Sequence, residues 1–102
     1  MTERLTIIAP DDDLTPYEID GFTRLSFSET AKDLKVNIAE DNRPDRFSNL
    51  EHMWVVYQSV SGENFDGIIE NDRSILSNHT QLHIDLFDFQ GVVPATYSHL
   101  SP

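Results

Sequence analysis

The chain has no cysteine and only 102 residues, so one hydrophobic core without disulfides must hold the whole fold together. This length is close to the commonest size of a single domain and is too short for two independent cores. Leu, Ile, Val and Phe together account for 29 residues, well above the fraction at which a charged chain stays disordered. We therefore predict one domain over residues 1–102, ending in an irregular, proline-bracketed tail over about 92–102.

Short apolar runs with turn signals between them predict strands in the first part of the chain. The run from Leu5 to Ala9 is too short for a typical helix and suits a buried strand. Asp20-Gly21 favours the positive φ angles of a two-residue turn, and the segments 17–19 and 22–27 beside it carry alternating apolar residues. This pattern predicts a β-hairpin over 17–27.

Three later segments give strand signals of unequal clarity. Residues 28–41 fit both helical spacing and strand alternation, and we favour the strand. Ile68-Ile69 and Ile75-Leu76 indicate two short strands separated by an Asn-Asp-Arg turn, whereas residues 81–89 alternate more regularly. The residues of this last strand that are predicted to share one face are Leu82, Ile84 and Leu86.

One helix is predicted over about residues 48–62. Ser48-Asn49-Leu50-Glu51 has the form of a capping box, and Gly62 can end the helix. The alternative is a strand, because the segment 54–57 is rich in β-forming residues. Taken with the strands, the helix predicts an α+β domain, a small antiparallel-rich sheet with about one covering helix. The predicted core face of the helix comprises Leu50, Met53, Trp54, Tyr57 and Val60.

The charge of the chain narrows the class of partner. Seven basic residues against eighteen acidic ones give a net charge of −11. Nucleic acids and anionic membrane surfaces are bound through clusters of Lys and Arg, which are scarce here, so neither is expected as a direct partner. The N-terminal residues form neither a signal peptide nor a membrane span, and we expect a cytoplasmic protein.

The acidic residues are grouped in blocks. Residues 5–23 and residues 47–72 each hold five acids and no base. Along an extended chain, carboxylates two residues apart are separated by about 6.6 Å, close to two rises of a DNA strand, and could imitate phosphates. The residues predicted to bind a basic partner are Asp11, Asp12, Asp13, Glu18, Asp20, Glu63, Asp66, Glu70 and Asp72.

Catalytic and metal-binding signals are weak. The chain has neither a nucleophile elbow nor a phosphate-binding glycine loop, so no catalytic residue and no cofactor is predicted, and we expect a protein that is not an enzyme. His79, His83 and Asp85 are the best candidates for metal ligands, but on a strand His79 is expected to lie in the preceding turn. No metal site is predicted with these residues.

Three functions follow from the sequence, in descending order. The first is a small acidic binding module that docks on a basic protein, for example a nucleic-acid-processing enzyme, and inhibits or regulates it by mimicking nucleic acid. The second is a structural or regulatory subunit that forms a homodimer through an exposed strand edge. The third is a metal-assisted enzyme that uses His79, His83 and Asp85.

Overall fold

The computed structural model describes residues 3–10, 14–19, 21–42, 49–75 and 78–87, which form an antiparallel sheet of seven strands. The strands are β1 (Arg4–Ile8), β2 (Pro16–Glu18), β3 (Phe22–Ser28), β4 (Asp33–Ala39), β5 (Trp54–Gln58), β6 (Asn64–Ile75) and β7 (His79–Phe87). They lie in the order β2-β1-β5-β6-β7-β4-β3, and each strand is antiparallel to its neighbours. The helical content of the described residues is one 3₁₀ turn at Glu40–Asn42.

The predicted α+β architecture with a covering helix is therefore wrong. The segment predicted to be that helix instead contributes a turn at residues 51–52 followed by β5. Strand alternation sends Val55 and Tyr57 into the core and leaves Trp54 half-buried on the opposite face. The helical spacing was misleading because Leu50 and Met53 reach the same core from the turn that precedes the strand. Trp54, expected on that core face, lies outside the core.

The predicted hairpin over 17–27 is also wrong, although both of its strands exist. β2 pairs with β1, and β3 pairs with β4, so the two strands stand at opposite ends of the strand order. Gly21 has the positive φ of 71° that the turn signal indicated. Alternation identifies a strand but does not identify its partner, which explains why the pairing was missed.

The remaining strand predictions have mixed outcomes. The apolar run at residues 5–9, the strand favoured within 28–41 and the alternating strand after residue 80 are confirmed as β1, β4 and β7. The predicted Asn-Asp-Arg turn is wrong, because β6 runs through it as one strand of 12 residues. The irregularity there is a β-bulge between Ile69 and Asn71. The predicted tail at 92–102 lies outside the described residues.

The sheet curls, and its inner face forms the core. The ring of Phe27 on β3, an edge strand, lies 5.2 Å from Tyr57 on β5 and 5.2 Å from Phe65 on β6. Gly67 on β6 leaves room for the β7 side chain of Ile84, because a Cβ atom there would lie 2.6 Å from Cγ2 of Ile84. The largest fully buried side chains are Leu5, Ile7, Leu34, Val36, Ile38, Leu50, Val55, Tyr57, Ile69, Leu82 and Ile84.

A polar cluster links β3, at one edge of the sheet, to β5, nearer its centre. The Tyr57 hydroxyl donates to a Glu3 carboxylate oxygen and accepts a hydrogen bond of 3.2 Å from Arg24 Nη1. Arg24 Nη1 also lies 3.3 Å from Glu3 Oε1. Burial, reinforced by the hydrogen bond to Glu3, raises the pKa of Tyr57 above its ordinary value. The cluster thus ties β3 to β5 and to the residue that precedes β1.

Candidate functional site

The outer face of the sheet divides into two regions with different chemistry. The first region covers β2, β1, β5 and the first half of β6, and we call it the β2–β6 face. In one row across it, Ile8 lies opposite Trp54, which lies opposite Ile68. In the next row, the cross-strand neighbours are Glu18, Thr6, Val56 and Asp66. The β2–β6 face therefore has half-buried apolar side chains between two carboxylates.

The two carboxylates of the β2–β6 face are held differently. Glu18 lies 3.3 Å from Arg4 Nε, but both side chains are more than half exposed, so the pair is weakly coupled. Asp66 Oδ1 accepts a hydrogen bond of 3.3 Å from Trp54 Nε1. Because β2 and β6 are three strand spacings apart, about 14 Å separates the two backbones when measured along the sheet.

Three other residues of the predicted acidic set lie at three different positions, outside the row of Glu18 and Asp66. Glu63 is exposed in the turn between β5 and β6. Glu70 lies at the bulge of β6, where its Oε2 is 3.3 Å from His83 Nδ1. Asp72 Oδ2 instead accepts a hydrogen bond of 2.7 Å from the Leu50 amide. Glu70 and Asp72 thus do not form the adjacent, phosphate-like pair that an extended chain suggested. The predicted residues outside the described segments are Asp11, Asp12, Asp13 and Asp20.

The predicted metal candidates share one face of β7 but do not converge. His79 is the first residue of β7 rather than part of the preceding turn. It is separated from His83 by four residues of strand, about 13 Å. His83 contacts Asp33 through Nε2 and Glu70 through Nδ1. Within the described segments, no three His, Asp or Glu side chains are placed to hold a metal ion.

The second region of the outer face holds a depression that sequence reasoning missed. It has a volume of about 130 Å³ and lies on β4, β7 and the second half of β6. Lys35 is opposite His83, which is opposite Asn71, and in the next row Gln81 is opposite Arg73. The five lining residues, which we call the cationic depression, are Lys35, Asn71, Arg73, Gln81 and His83.

The cationic depression could not be found without the strand order. Its residues come from three strands, and 39 residues of chain lie between β4 and β7. Alternation places Gln81 and His83 on one polar face, but only the pairing of β7 with both β4 and β6 brings Lys35 and Arg73 beside them.

Comparison with known proteins gives no functional assignment. The chain matches no family model, no curated protein and no solved structure. In the described residues there is also no helix of the length and apolarity that crossing a membrane requires.

Proposed function

We propose that the protein is a small non-enzymatic binding module that docks its β2–β6 face on a basic partner protein. The observation that carries this proposal is the row in which Glu18 and Asp66 stand on either side of Val56. Interfaces commonly combine an apolar centre with a charged rim. Carboxylates at such a rim attract a basic surface over a long range and raise its rate of association.

The spacing of the two acids supports a partner that binds nucleic acid. The approximately 14 Å from β2 to β6, measured along the sheet, is comparable to the width of the DNA major groove, about 12 Å, which phosphates flank on both sides. A protein with a net charge of −11 can therefore compete for the basic groove of a nucleic-acid-processing enzyme. The proposed consequence for the partner is inhibition or regulation.

The surroundings of His83 favour binding over catalysis. A histidine base needs one ring nitrogen free to take a proton from a nucleophile or from water. In the structure both ring nitrogens of His83 face carboxylates, those of Asp33 and Glu70. This arrangement fixes the ring but leaves neither nitrogen directed at a nucleophile.

The edges of the sheet favour docking by a face over self-association by a strand. β2 has only three residues and begins with Pro16, which has no amide hydrogen to donate to another strand. β3 has a register shift between Arg24 and Ser26. Both features are common means of preventing edge-to-edge pairing.

The proposal is tested by removing the charges of Glu18 and Asp66 while keeping the size and shape of their side chains. The protein is used to capture basic proteins at low salt, and the captured protein is identified and purified. Association is then measured for wild type and for the double variant Glu18→Gln/Asp66→Asn. We expect the association rate of the variant to fall roughly tenfold at low salt and the difference to shrink as salt rises.

The matched control removes two exposed acids elsewhere, in the double variant Glu29→Gln/Asp41→Asn. Its net charge equals that of the first variant, so a role for the β2–β6 face requires it to retain most of the wild-type rate. Equal rates for all three proteins would contradict the proposal. Duplex DNA should also compete for the partner, and failure to compete would reject the mimicry of nucleic acid.

A further inference from the structure

The cationic depression is unusual for so acidic a chain. Arg4 and Arg24 each lie within 3.3 Å of a carboxylate oxygen. Lys35 and Arg73, by contrast, have no carboxylate at ion-pair distance among the described residues, and both are exposed at the same depression. In a protein of net charge −11, the described residues thus place two cationic side chains, with no acidic partner among those residues, at one depression.

The donors around the depression fit an oxyanion. Lysine and arginine supply charged N–H groups, and the planar guanidinium of arginine matches two oxygens of a phosphate or carboxylate. The side-chain amides of Asn71 and Gln81 add neutral N–H donors from the same two rows of the sheet. A ligand oxygen can therefore be met by Lys35 from β4, by Arg73 and Asn71 from β6, and by Gln81 from β7 between them.

The two acids nearest the depression contact His83 rather than Lys35 or Arg73. His83 lies between Lys35 and Asn71 in register, and its two ring nitrogens face Asp33 and Glu70. These contacts direct both carboxylates to the imidazole ring. The remaining acid of this face of β7, Asp85, is exposed and lies beside Asp33 rather than in the rows of the depression.

We propose that the cationic depression binds one compact oxyanion, a phosphate group carried by a small molecule or free in solution. A volume of about 130 Å³ suits a single such group. A polyanion is a poor fit, because the depression offers two cationic side chains, Lys35 and Arg73, and the acidic remainder of the protein repels any phosphate that they do not contact. This site shares only β6 with the proposed docking row, at different residues of that strand, and does not depend on it.

Binding is tested with inorganic phosphate and the protein alone, at low ionic strength. Calorimetry should show saturable binding of one phosphate per chain, with a dissociation constant on the order of millimolar or below. In amide NMR spectra, the shifted signals should cluster around residues 35, 71–73 and 81–83. Acetate should bind less tightly than phosphate, and chloride at matched ionic strength should not displace it.

The decisive variant is Lys35→Gln/Arg73→Gln, which should bind phosphate at least about tenfold more weakly, since each change removes a charge-assisted hydrogen bond. The control Arg4→Gln/Lys32→Gln removes the same charge from exposed positions elsewhere and should bind within about twofold of wild type. The proposal would be overturned if wild type showed no saturable phosphate binding, or if both variants lost phosphate affinity equally. It would also be overturned if the NMR signals that shift lay outside the depression, or if acetate bound more tightly than phosphate. Because no partner protein is present, failure here is independent of the proposed docking.

Discussion

The inner and outer faces of the sheet use alternate residues of the same strands, yet they are organised in different ways. The inner face is continuous: its aliphatic and aromatic side chains form one buried cluster. The outer face is divided, with half-buried apolar residues between two carboxylates on the β2–β6 face and the cationic depression on β4, β7 and the second half of β6. Removing a side chain from the inner face should therefore reduce stability, whereas most changes to the outer face should alter recognition.

The largest contrast is expected between two aromatic residues of β5. Tyr57 is fully buried, and Tyr57→Ala should lower the free energy of unfolding by about 3–5 kcal/mol. Trp54 is half-buried on the outer face, so Trp54→Ala should cost less, about 1–2 kcal/mol. Denaturant unfolding of both variants measures the difference. Equal losses would mean that the two faces are not energetically distinct.

The second prediction concerns the packing of the inner face at Gly67. The Cβ atom of Gly67→Ala would lie 2.6 Å from the Ile84 side chain and 3.1 Å from the Asp85 carbonyl oxygen. Relief of this overlap must move a neighbouring strand, and we expect a loss of about 1–3 kcal/mol of unfolding free energy. Asn64→Ala, an exposed change on the same strand, is the control and should be nearly neutral. A neutral Gly67→Ala variant would show that the inner face is loosely packed there.

The third prediction separates a structural acid from a surface acid. Asp72 accepts the hydrogen bond of the Leu50 amide, and Leu50 is fully buried. Asp72→Ala should lower the free energy of unfolding by about 1–2 kcal/mol, because it leaves that amide without its acceptor. Glu63→Ala should change it by less than about 0.5 kcal/mol, since Glu63 is exposed in a turn. Thermal melts of the two variants test this, and similar melting temperatures would contradict it.

The smallest expected effect is a dependence of stability on alkaline pH. Burial and the Glu3 hydrogen bond raise the pKa of Tyr57 in the folded protein. Above a pH of about 10 the unfolded chain loses the tyrosine proton while the folded chain retains it, so the free energy of unfolding should fall as pH rises. Tyr57→Phe should show a shallower fall. Equal slopes for the two proteins from neutral to alkaline pH would exclude a contribution from this hydroxyl.

Most of the strands could be predicted from the sequence, but their arrangement could not. Period-two patterns identified β3, β4 and β7, and the shortness of an apolar run identified β1, because both signals are local properties of the sequence. The error at residues 48–62 arose because buried residues of a turn and of a strand together imitated the spacing of a helix. The wrong prediction that Trp54 lies in the core followed from that error, since a helix and a strand place the same residue on different faces.

The candidate sites depend on the arrangement of the strands even more than the fold does, so the sequence predicted them less well. Glu18 and Asp66 were both identified as acids of interest, but their shared row depends on the order β2-β1-β5-β6. Lys35 and Arg73 received no role because their proximity arises from strand pairing alone. The β-bulge beside Glu70 cannot be foreseen from alternation, because an extra residue in a strand leaves no fixed sequence pattern.

The strand order also has consequences for how the chain reaches its folded state. β1 pairs with β5 and β4 pairs with β7, and in both cases the paired residues are 40 to 54 positions apart in sequence. Such high contact order is associated with folding times on the order of milliseconds to seconds. During synthesis, β6 and β7 can pair as neighbours, but β4 must wait for β7 to emerge from the ribosome. The pairing of β4 with β7, which completes the sheet, therefore depends on β7, the last strand of the described chain to be synthesised.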